Sequence, residues 1–214
     1  MTVRDRVVPF VHDLVGVPME KKPFIREARR RLLARAGGRV LEVGAGTGYN
    51  LAYYPDGVSD LTITDGMAGM LRRAGKRAAE AGRQVSLTTA SVQSLPFEDG
   101  SFDTVVGSLL LCSVGDQHQS LAEIGRVLTP EGQYLFFEHV RSDDPDVARS
   151  QDRWEGVWRV IGQGCHPNRD TLPRIESAFT IDEVEQGEVP FGPKIVRPYV
   201  LGRASKRSAG ATPV

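Results

Sequence analysis

The sequence predicts an α/β protein: a Rossmann-like, doubly wound, mostly parallel seven-stranded sheet with an antiparallel C-terminal strand pair and helices on both faces. Three observations carry this expectation. Segments of strand character alternate with segments of helical period from residue 39 to residue 139. Val40-Leu41-Glu42-Val43 runs into Gly44-Ala45-Gly46-Thr47-Gly48, a strand feeding a glycine turn and then a helix. The run from Thr104 to Leu110 is apolar nearly throughout, as suits a central parallel strand covered on both faces.

The elements follow in order. Residues 20–36 have a helical period, with Phe24, Ile25, Ala28, Leu32 and Leu33 forming an apolar stripe, and Gly37-Gly38 ends the helix. Arg39 to Val43 is a first strand, and Thr47 to Tyr54 a short helix stopped by Pro55. Leu61 to Thr64 is a second strand, Met67 to Ala81 a helix closed by Gly82, and Gln84 to Thr89 a third strand. Thr104 to Leu110 is the fourth strand. Gln117 to Leu128 is a helix with Leu121, Ile124 and Leu128 on one face, and Gly132 to His139 is the fifth strand. The pattern then changes. Asp146 to Ile161 reads as a helix carrying Trp154 and Trp158, and Thr171 to Ala178 as another. Phe179 to Gln186 and Ile195 to Ala204 read as the closing antiparallel pair. Residues 1–204 are expected to form a single domain and residues 205–214, small and polar, a disordered tail.

At 214 residues the chain is long enough for one well-cored domain and short for two. Hydrophobic residues make up 40% and charged residues 25%, an ordinary globular balance. No apolar run approaches the roughly 20 residues of a membrane helix. The first residues are too charged and too broken for a secretory signal, so a cytoplasmic protein without a transmembrane segment is expected. The net charge of zero is unevenly spread: residues 1–39 hold ten Lys/Arg against four Asp/Glu. Arg26, Arg29, Arg30, Arg31 and Arg35 read as the solvated face of a helix, or as a patch for an anionic substrate or a membrane surface. Nothing resembles a nucleic-acid module. Cys112 and Cys165 are too few for a disulfide framework.

The glycine turn carries the chemistry. Its glycines let backbone turn sharply and approach a ligand where a Cβ would clash, beyond the carboxyl ends of the strands. A dinucleotide fingerprint would read Gly-x-Gly-x-x-Gly, whereas here the spacing is Gly44-x-Gly46-x-Gly48 and position 49 is Tyr. Glu42, two residues before the first glycine, would repel a pyrophosphate but suits a ligand with positive charge, such as a sulfonium or an α-amino group. Asp65 ends the second strand, 19 residues after Gly46, where an acid accepts hydrogen bonds from ribose hydroxyls. Spacing and charge favour S-adenosylmethionine over a nicotinamide or flavin dinucleotide.

The run Val40 to Gly48 resembles the first motif of class I methyltransferases of the methyltransferase type 11 group. Asp65-Gly66-Met67-Ala68-Gly69-Met70-Leu71 is similar to their acidic second motif, and Ser91-Val92-Gln93-Ser94-Leu95-Pro96-Phe97, followed by Phe102-Asp103, to their third. Glu123 to Gly132 is similar to the helix and turn before their fifth strand. Leu111-Cys112-Ser113-Val114, Phe137-Glu138-His139-Val140, and Trp158 to Cys165 with Arg169-x-Thr171 look like the methyltransferase-like thiol S-methyltransferases of animals and their bacterial relatives. The animal members begin with a hydrophobic anchor that this chain lacks, so membrane attachment is not expected to carry over. The resemblance implies transfer of a methyl group from S-adenosyl-L-methionine to a small-molecule acceptor, with a thiol as first expectation and S-adenosyl-L-homocysteine as product. O-, N- or C-methylation of a natural product or lipid head group is the alternative, and a non-catalytic cofactor-binding protein the alternative of another class. A monomer or homodimer is expected.

In such a site Gly44, Ala45, Gly46, Thr47 and Gly48 would bring backbone to the cofactor. Glu42 would orient the loop or the amino end, Thr47 and Asn50 would reach the methionine part, and Asp65 with Gly66 would hold the ribose. Met67 would pack on the adenine. Family members open the third motif with an acid that contacts the adenine amino group; here Ser91 can still accept a hydrogen bond, with help from Val92 and Gln93. Ser108 and Leu109 would lie near the reacting methyl. His139 is the candidate general base, or a histidine bonded to backbone. Trp154, Trp158, Cys165 and His166 would line the acceptor pocket, with residues 1–36 and 141–170 as helical lid and insertion. Cys112 is expected to be a small buried hydrophobe and His118 to be solvated. Cys165-His166 supplies two ligands where zinc takes three or four, so no metal site is expected.

Overall fold

Five residues of β1 (Arg39–Val43) explain the centre of the molecule: Val40, Leu41 and Val43 are wholly buried, so the strand must be covered on both faces. The computed structural model describes residues 4–58 and 60–207. β1 pairs parallel with β2 (Asp60–Asp65) on one side and with β4 (Phe102–Ser108) on the other. β3 (Ser86–Thr89) adds outside β2, and β5 (Leu128–His139) outside β4. β7 (Pro198–Lys206) runs antiparallel to both β5 and β6 (Phe179–Glu188). The seven-stranded order is β3-β2-β1-β4-β5-β7-β6. The order reverses between β1 and β4, and ligands bind at the carboxyl edge of such a switch point.

Alternation along the strands sends side chains into two separate cores. Val40, Ile63, Val106, Leu135 and Phe137 meet Ile25, Leu32 and Leu33 of α2 (Pro23–Leu33) and Leu71 and Ala74 of α3 (Ala68–Glu80). Leu41, Val43, Val105, Tyr134 and Phe136 meet Leu121 and Ile124 of α4 (Gln117–Val127) and Ile175 of α6 (Thr171–Ala178). α5 (Pro145–Ile161) precedes α6.

The elements lie where the pattern put them, with four corrections. The helix over 20–36 begins later, because α1 (Arg4–Glu20) ends first and Pro23 opens α2, where its missing N–H costs nothing. α1 had no bounds of its own within the expected 1–36 helical lid: it contains Pro9 and Pro18, and tertiary contacts hold it. Its first turn lies so close to α3 that a Cβ on Gly69 would collide with the Asp5 carbonyl. The short helix over Thr47–Tyr54 shrinks to a 3₁₀ turn at Tyr49–Ala52. Disorder from residue 205 is wrong for Ser205 and Lys206, which pair in the sheet; residues 208–214 lie outside the described residues. The basic run of α2 and the turn after it is largely paired within the chain: Arg31 and Arg35 reach Glu185 and Glu183 on β6 at the surface, and Arg29 is buried. Among the described residues no helix is long and apolar enough to cross a membrane.

Candidate active site

The turn after β1 passes through three left-handed glycines, Gly44 (φ 64°), Gly46 (φ 56°) and Gly48 (φ 85°), a path that side chains resist. At Gly48 a Cβ would sit 3.0 Å from the Ala74 backbone of α3, so this glycine also sets how closely the turn packs. At Gly46 it would instead point into a cavity, toward His12 at 3.5 Å. Asp65 ends β2 beside this cradle. Its Oδ2 accepts from the Gly46 N–H at 3.0 Å and its Oδ1 from the Met67 N–H at 2.8 Å. Burial pushes the Asp65 pKa up, against those two backbone bonds. Each oxygen keeps lone-pair capacity for a further donor. Bare backbone curved around a hollow, with a carboxylate at its rim, fits an adenosyl cofactor.

Glu42 lies behind the turn rather than in the hollow. Its oxygens accept from Asn50 Nδ2 (2.9 Å) and Tyr54 Oη (2.8 Å). Asn50 Nδ2 also reaches Ser108 Oγ (3.2 Å), and Asn50 Oδ1 accepts from Arg29 (2.5 Å). Arg29, 5% exposed, closes the chain on Glu20 at 2.7 and 2.8 Å. Asn50 is therefore neither a helix cap nor a wall residue but the hub that couples Glu42 to the end of β4. Burial pushes the Glu42 pKa up to about 7, opposed by the bonds from Tyr54 and Asn50 and by the Arg29 charge. The sign of the linkage follows. Between the carboxyl's unfolded value and about 7, the folded state holds more protons than the unfolded one, so stability falls as pH rises. Urea unfolding should show wild type losing about 2–3 kcal/mol more than Glu42→Gln between pH 5 and pH 8; equal losses would contradict the assignment.

α1 is clamped over the turn by Asp13. Its carboxylate accepts from Thr47 Oγ1 (2.7 Å), Tyr49 Oη (2.9 Å) and Arg77 (3.0 Å), and pairs with Arg73. Burial works to raise the Asp13 pKa, but these donors hold it well below the usual carboxylate range. The Thr47 side chain thus serves the clamp. His12 stacks on Tyr49 with centroids 5.5 Å apart, and burial lowers its pKa.

On the far side, β4 ends in a turn that one buried carboxylate organises. Glu138, wholly buried on β5, accepts from the N–H groups of Leu110 (2.9 Å), Leu111 (2.8 Å) and Cys112 (3.2 Å). Leu109 enters the turn at φ 55°, its N–H held by the Phe137 carbonyl at 2.6 Å. Burial pushes the Glu138 pKa well up, and the nearby Cys112 adds to it.

Between these walls lies a cavity of about 370 Å³. It brings together Gly44, Gly46, Asp65 and Leu109 from the expected donor residues, and His139, Trp158 and Cys165 from the expected acceptor residues. Also lining it, though not singled out from the sequence, are His12, Val15 and Gly16 of the expected lid, Ile161 of the expected insertion, and Met70, Leu110 and Cys112. Several expected residues do not. Met67 turns its N–H to Asp65, and Met70, one helical turn on, takes its place on the wall. Ala45, Gly48, Gly66 and Ser108 are also off the wall. Ser91 Oγ is used by the Gln93 N–H (3.2 Å) and Gln93 O by Gln119, while Val92 is buried in the core. Trp154 is half exposed on α5. His166 turns away to Glu155 (2.6 Å), only its N–H holding the Cys112 carbonyl at 2.8 Å. His139, not His166, is the histidine beside Cys165, with Nδ1 3.5 Å from Sγ. Cys112 is buried as expected, yet its thiol faces both. His118 is exposed, as expected.

This sheet, glycine cradle and rim carboxylate define a Rossmann-like enzyme of the S-adenosylmethionine-using class. Residues 41–136 match the family model described as a methyltransferase domain. The chain is 35% identical over 196 residues to thiol S-methyltransferase TMT1B of Homo sapiens, covering 88% of this chain and 80% of that protein. Among solved structures it is similar to the YcgJ protein of Bacillus subtilis (TM-score 0.70, 18% identity, 86% of this chain and 100% of that one). It is also similar to the N-methyltransferase NodS of Bradyrhizobium japonicum in complex with S-adenosyl-L-homocysteine (TM-score 0.67, 18% identity, 89% and 91%). The chain belongs to the class I S-adenosylmethionine-dependent methyltransferases.

Proposed function

We propose that this enzyme methylates the sulfur of a small apolar thiol. One observation carries the reading: the cavity that holds the glycine cradle and Asp65 continues into a wall of Trp158, Ile161, Cys112 and Cys165. The bound cofactor supplies a methyl group on a sulfonium, an excellent leaving group. The protein's task is then proximity and alignment. Gly44 and Gly46 present backbone to the cofactor, Asp65 takes the ribose hydroxyls, and Leu109 stands near the methyl. Glu42, Asn50 and Ser108 act from behind by fixing the turn. His139 faces the acceptor's sulfur. A thiol needs little deprotonation near neutral pH, which suits a wall without a carboxylate on its acceptor side among the described residues. The name of the human relative points the same way. Val15 and Ile161 line the cavity and continue into apolar faces of α1 and α5, where Phe10, Leu14, Val157 and Val160 are more than half exposed. An apolar acceptor would enter there, with α1 and α5 as its lid. A cytoplasmic monomer or homodimer acting without nucleic acid completes the proposal.

The test is release of S-adenosyl-L-homocysteine across a panel of thiols, phenols, amines and lipid head groups. Turnover with apolar thiols is expected; turnover confined to amines or phenols would remove the thiol assignment. Asp65→Ala should weaken cofactor binding by about 1–3 kcal/mol, the cost of losing a charged hydrogen-bond partner. Calorimetry with S-adenosyl-L-homocysteine reads this, and an unchanged affinity in the folded variant would contradict the ribose role.

A further inference from the structure

Cys112, His139 and Cys165 come from three separate segments: the turn after β4, the end of β5, and the loop after α5. One ligand atom of each lies within 4.8 Å of the others. All three line the cavity, although the two cysteines are almost wholly shielded from bulk solvent. We propose that these residues form a three-ligand site for a thiophilic divalent ion, zinc by its donor set, whose fourth position opens into the cavity and takes the acceptor thiol.

Geometry supports the ion. Zinc holds sulfur at about 2.3 Å and imidazole nitrogen at about 2.0–2.1 Å, so a tetrahedral site has an S···N edge of about 3.6 Å and an S···S edge of about 3.8 Å. Cys165 Sγ and His139 Nδ1 are already 3.5 Å apart. The remaining atoms need move by no more than about an ångström, which side-chain rotation supplies. Two cysteines with one histidine and an open fourth position is a catalytic rather than a structural pattern. The backbone around the ligands is fixed as an ordered site requires: Glu138 holds the Cys112 N–H, His166 N–H holds the Cys112 carbonyl, and the Cys165 N–H bonds the Gly162 carbonyl at 3.2 Å.

The charge balance favours the same use. A divalent ion with two thiolates and a neutral imidazole is neutral overall. An incoming R–SH loses its proton to water as its sulfur binds, leaving the assembly with one negative charge beside the cofactor's positive sulfonium. The thiolate pair then forms the new S–CH₃ bond, the old C–S bond breaks, and its electron pair stays on the cofactor sulfur. Products are a thioether and S-adenosyl-L-homocysteine. The identity of the fourth ligand rests on the thiol assignment; the three-residue site does not.

The test uses the full chain, reduced and stripped of metal, titrated with Co²⁺ and then Zn²⁺. One equivalent of Co²⁺ should give thiolate-to-metal charge-transfer absorption and tetrahedral d–d bands, both displaced by Zn²⁺. Adding an apolar thiol should shift the d–d bands. Cys112→Ser and Cys165→Ser should each weaken binding by at least about 100-fold, beyond what loss of a supporting partner costs. Their circular dichroism and S-adenosyl-L-homocysteine affinity report whether they fold. His139→Ala should keep the charge-transfer bands but lose the tetrahedral pattern. Co²⁺ binding no tighter than in Cys112→Ser/Cys165→Ser overturns the site, whereas a tight cobalt spectrum indifferent to thiols overturns the thiol as fourth ligand. Full thiol turnover by metal-stripped enzyme overturns the site while leaving thiol methylation intact. A thiol-sensitive cobalt spectrum in an enzyme that methylates only amines or phenols supports the metal site and removes thiol methylation.

Discussion

Glu138→Ala is expected to destabilise the protein by about 3–5 kcal/mol and to lower turnover by about 100-fold or more. The carboxylate is wholly buried and accepts three consecutive backbone N–H groups, those of Leu110, Leu111 and Cys112. Removing it leaves three buried donors without an acceptor, at about 1–3 kcal/mol for each that water cannot reach. The turn they belong to carries Leu109, Leu110 and Cys112 onto the cavity wall, so its relaxation displaces donor and acceptor sides together. Misplacement by about 1 Å is enough for a 100-fold loss. Glu138→Gln keeps Oε1 for Leu110 and Leu111 but presents an NH₂ group to the Cys112 N–H or loses that contact. Its cost should be smaller, about 1–3 kcal/mol. Urea unfolding and S-adenosyl-L-homocysteine release measure both effects; an Ala variant with wild-type turnover would show that the turn holds itself.

Arg29→Ala should cost about 3–5 kcal/mol, because it strands buried partners on two sides. The guanidinium joins Glu20 at the end of α1 to Asn50, and through Asn50 to Glu42 and Ser108. Without it Asn50 can turn, and Glu42 loses a neighbouring positive charge. Cofactor affinity should fall along with stability. Arg29→Lys keeps the charge but cannot fork between a carboxylate and an amide oxygen, so an intermediate loss is expected. Denaturant unfolding checks the first effect and calorimetry the second. An Arg29→Ala variant within about 0.5 kcal/mol of wild type, the range of ordinary surface changes, would refute the buried-hub role.

Much of the fold was legible because its signals are local. Val40 to Gly48 announces strand, turn and helix within nine residues, and the apolar run of β4 announces a strand covered on both faces. Asp65 could be placed by counting, since a strand–helix–strand unit has a nearly fixed length. The expected donor residues that do not line the cavity, Met67 and Ser91 to Gln93, differ from those that do in side-chain direction. Met67 and Met70 are three residues apart on one helical start, and only the register of α3 against the sheet decides which faces the cavity. The bounds of α1 within the expected lid were illegible for a different reason: its two prolines interrupt the helical signal, and the Asp13 clamp spans 34 residues to Thr47 and 64 to Arg77.

The glycine spacing and Asp65 were enough to assign the methyl donor, because backbone conformation and residue spacing are properties of the chain itself, whereas Glu42 proved to act behind the turn and not on the ligand side. The acceptor side was not assignable in this way. Cys165 stands next to His166 in the sequence, yet in the fold His166 turns to Glu155 while Cys165 meets His139 and Cys112. Those three residues converge only because β4 and β5 are neighbours and the loop after α5 folds back across their carboxyl ends. Such a meeting depends on strand order and loop closure, which no short stretch of sequence encodes.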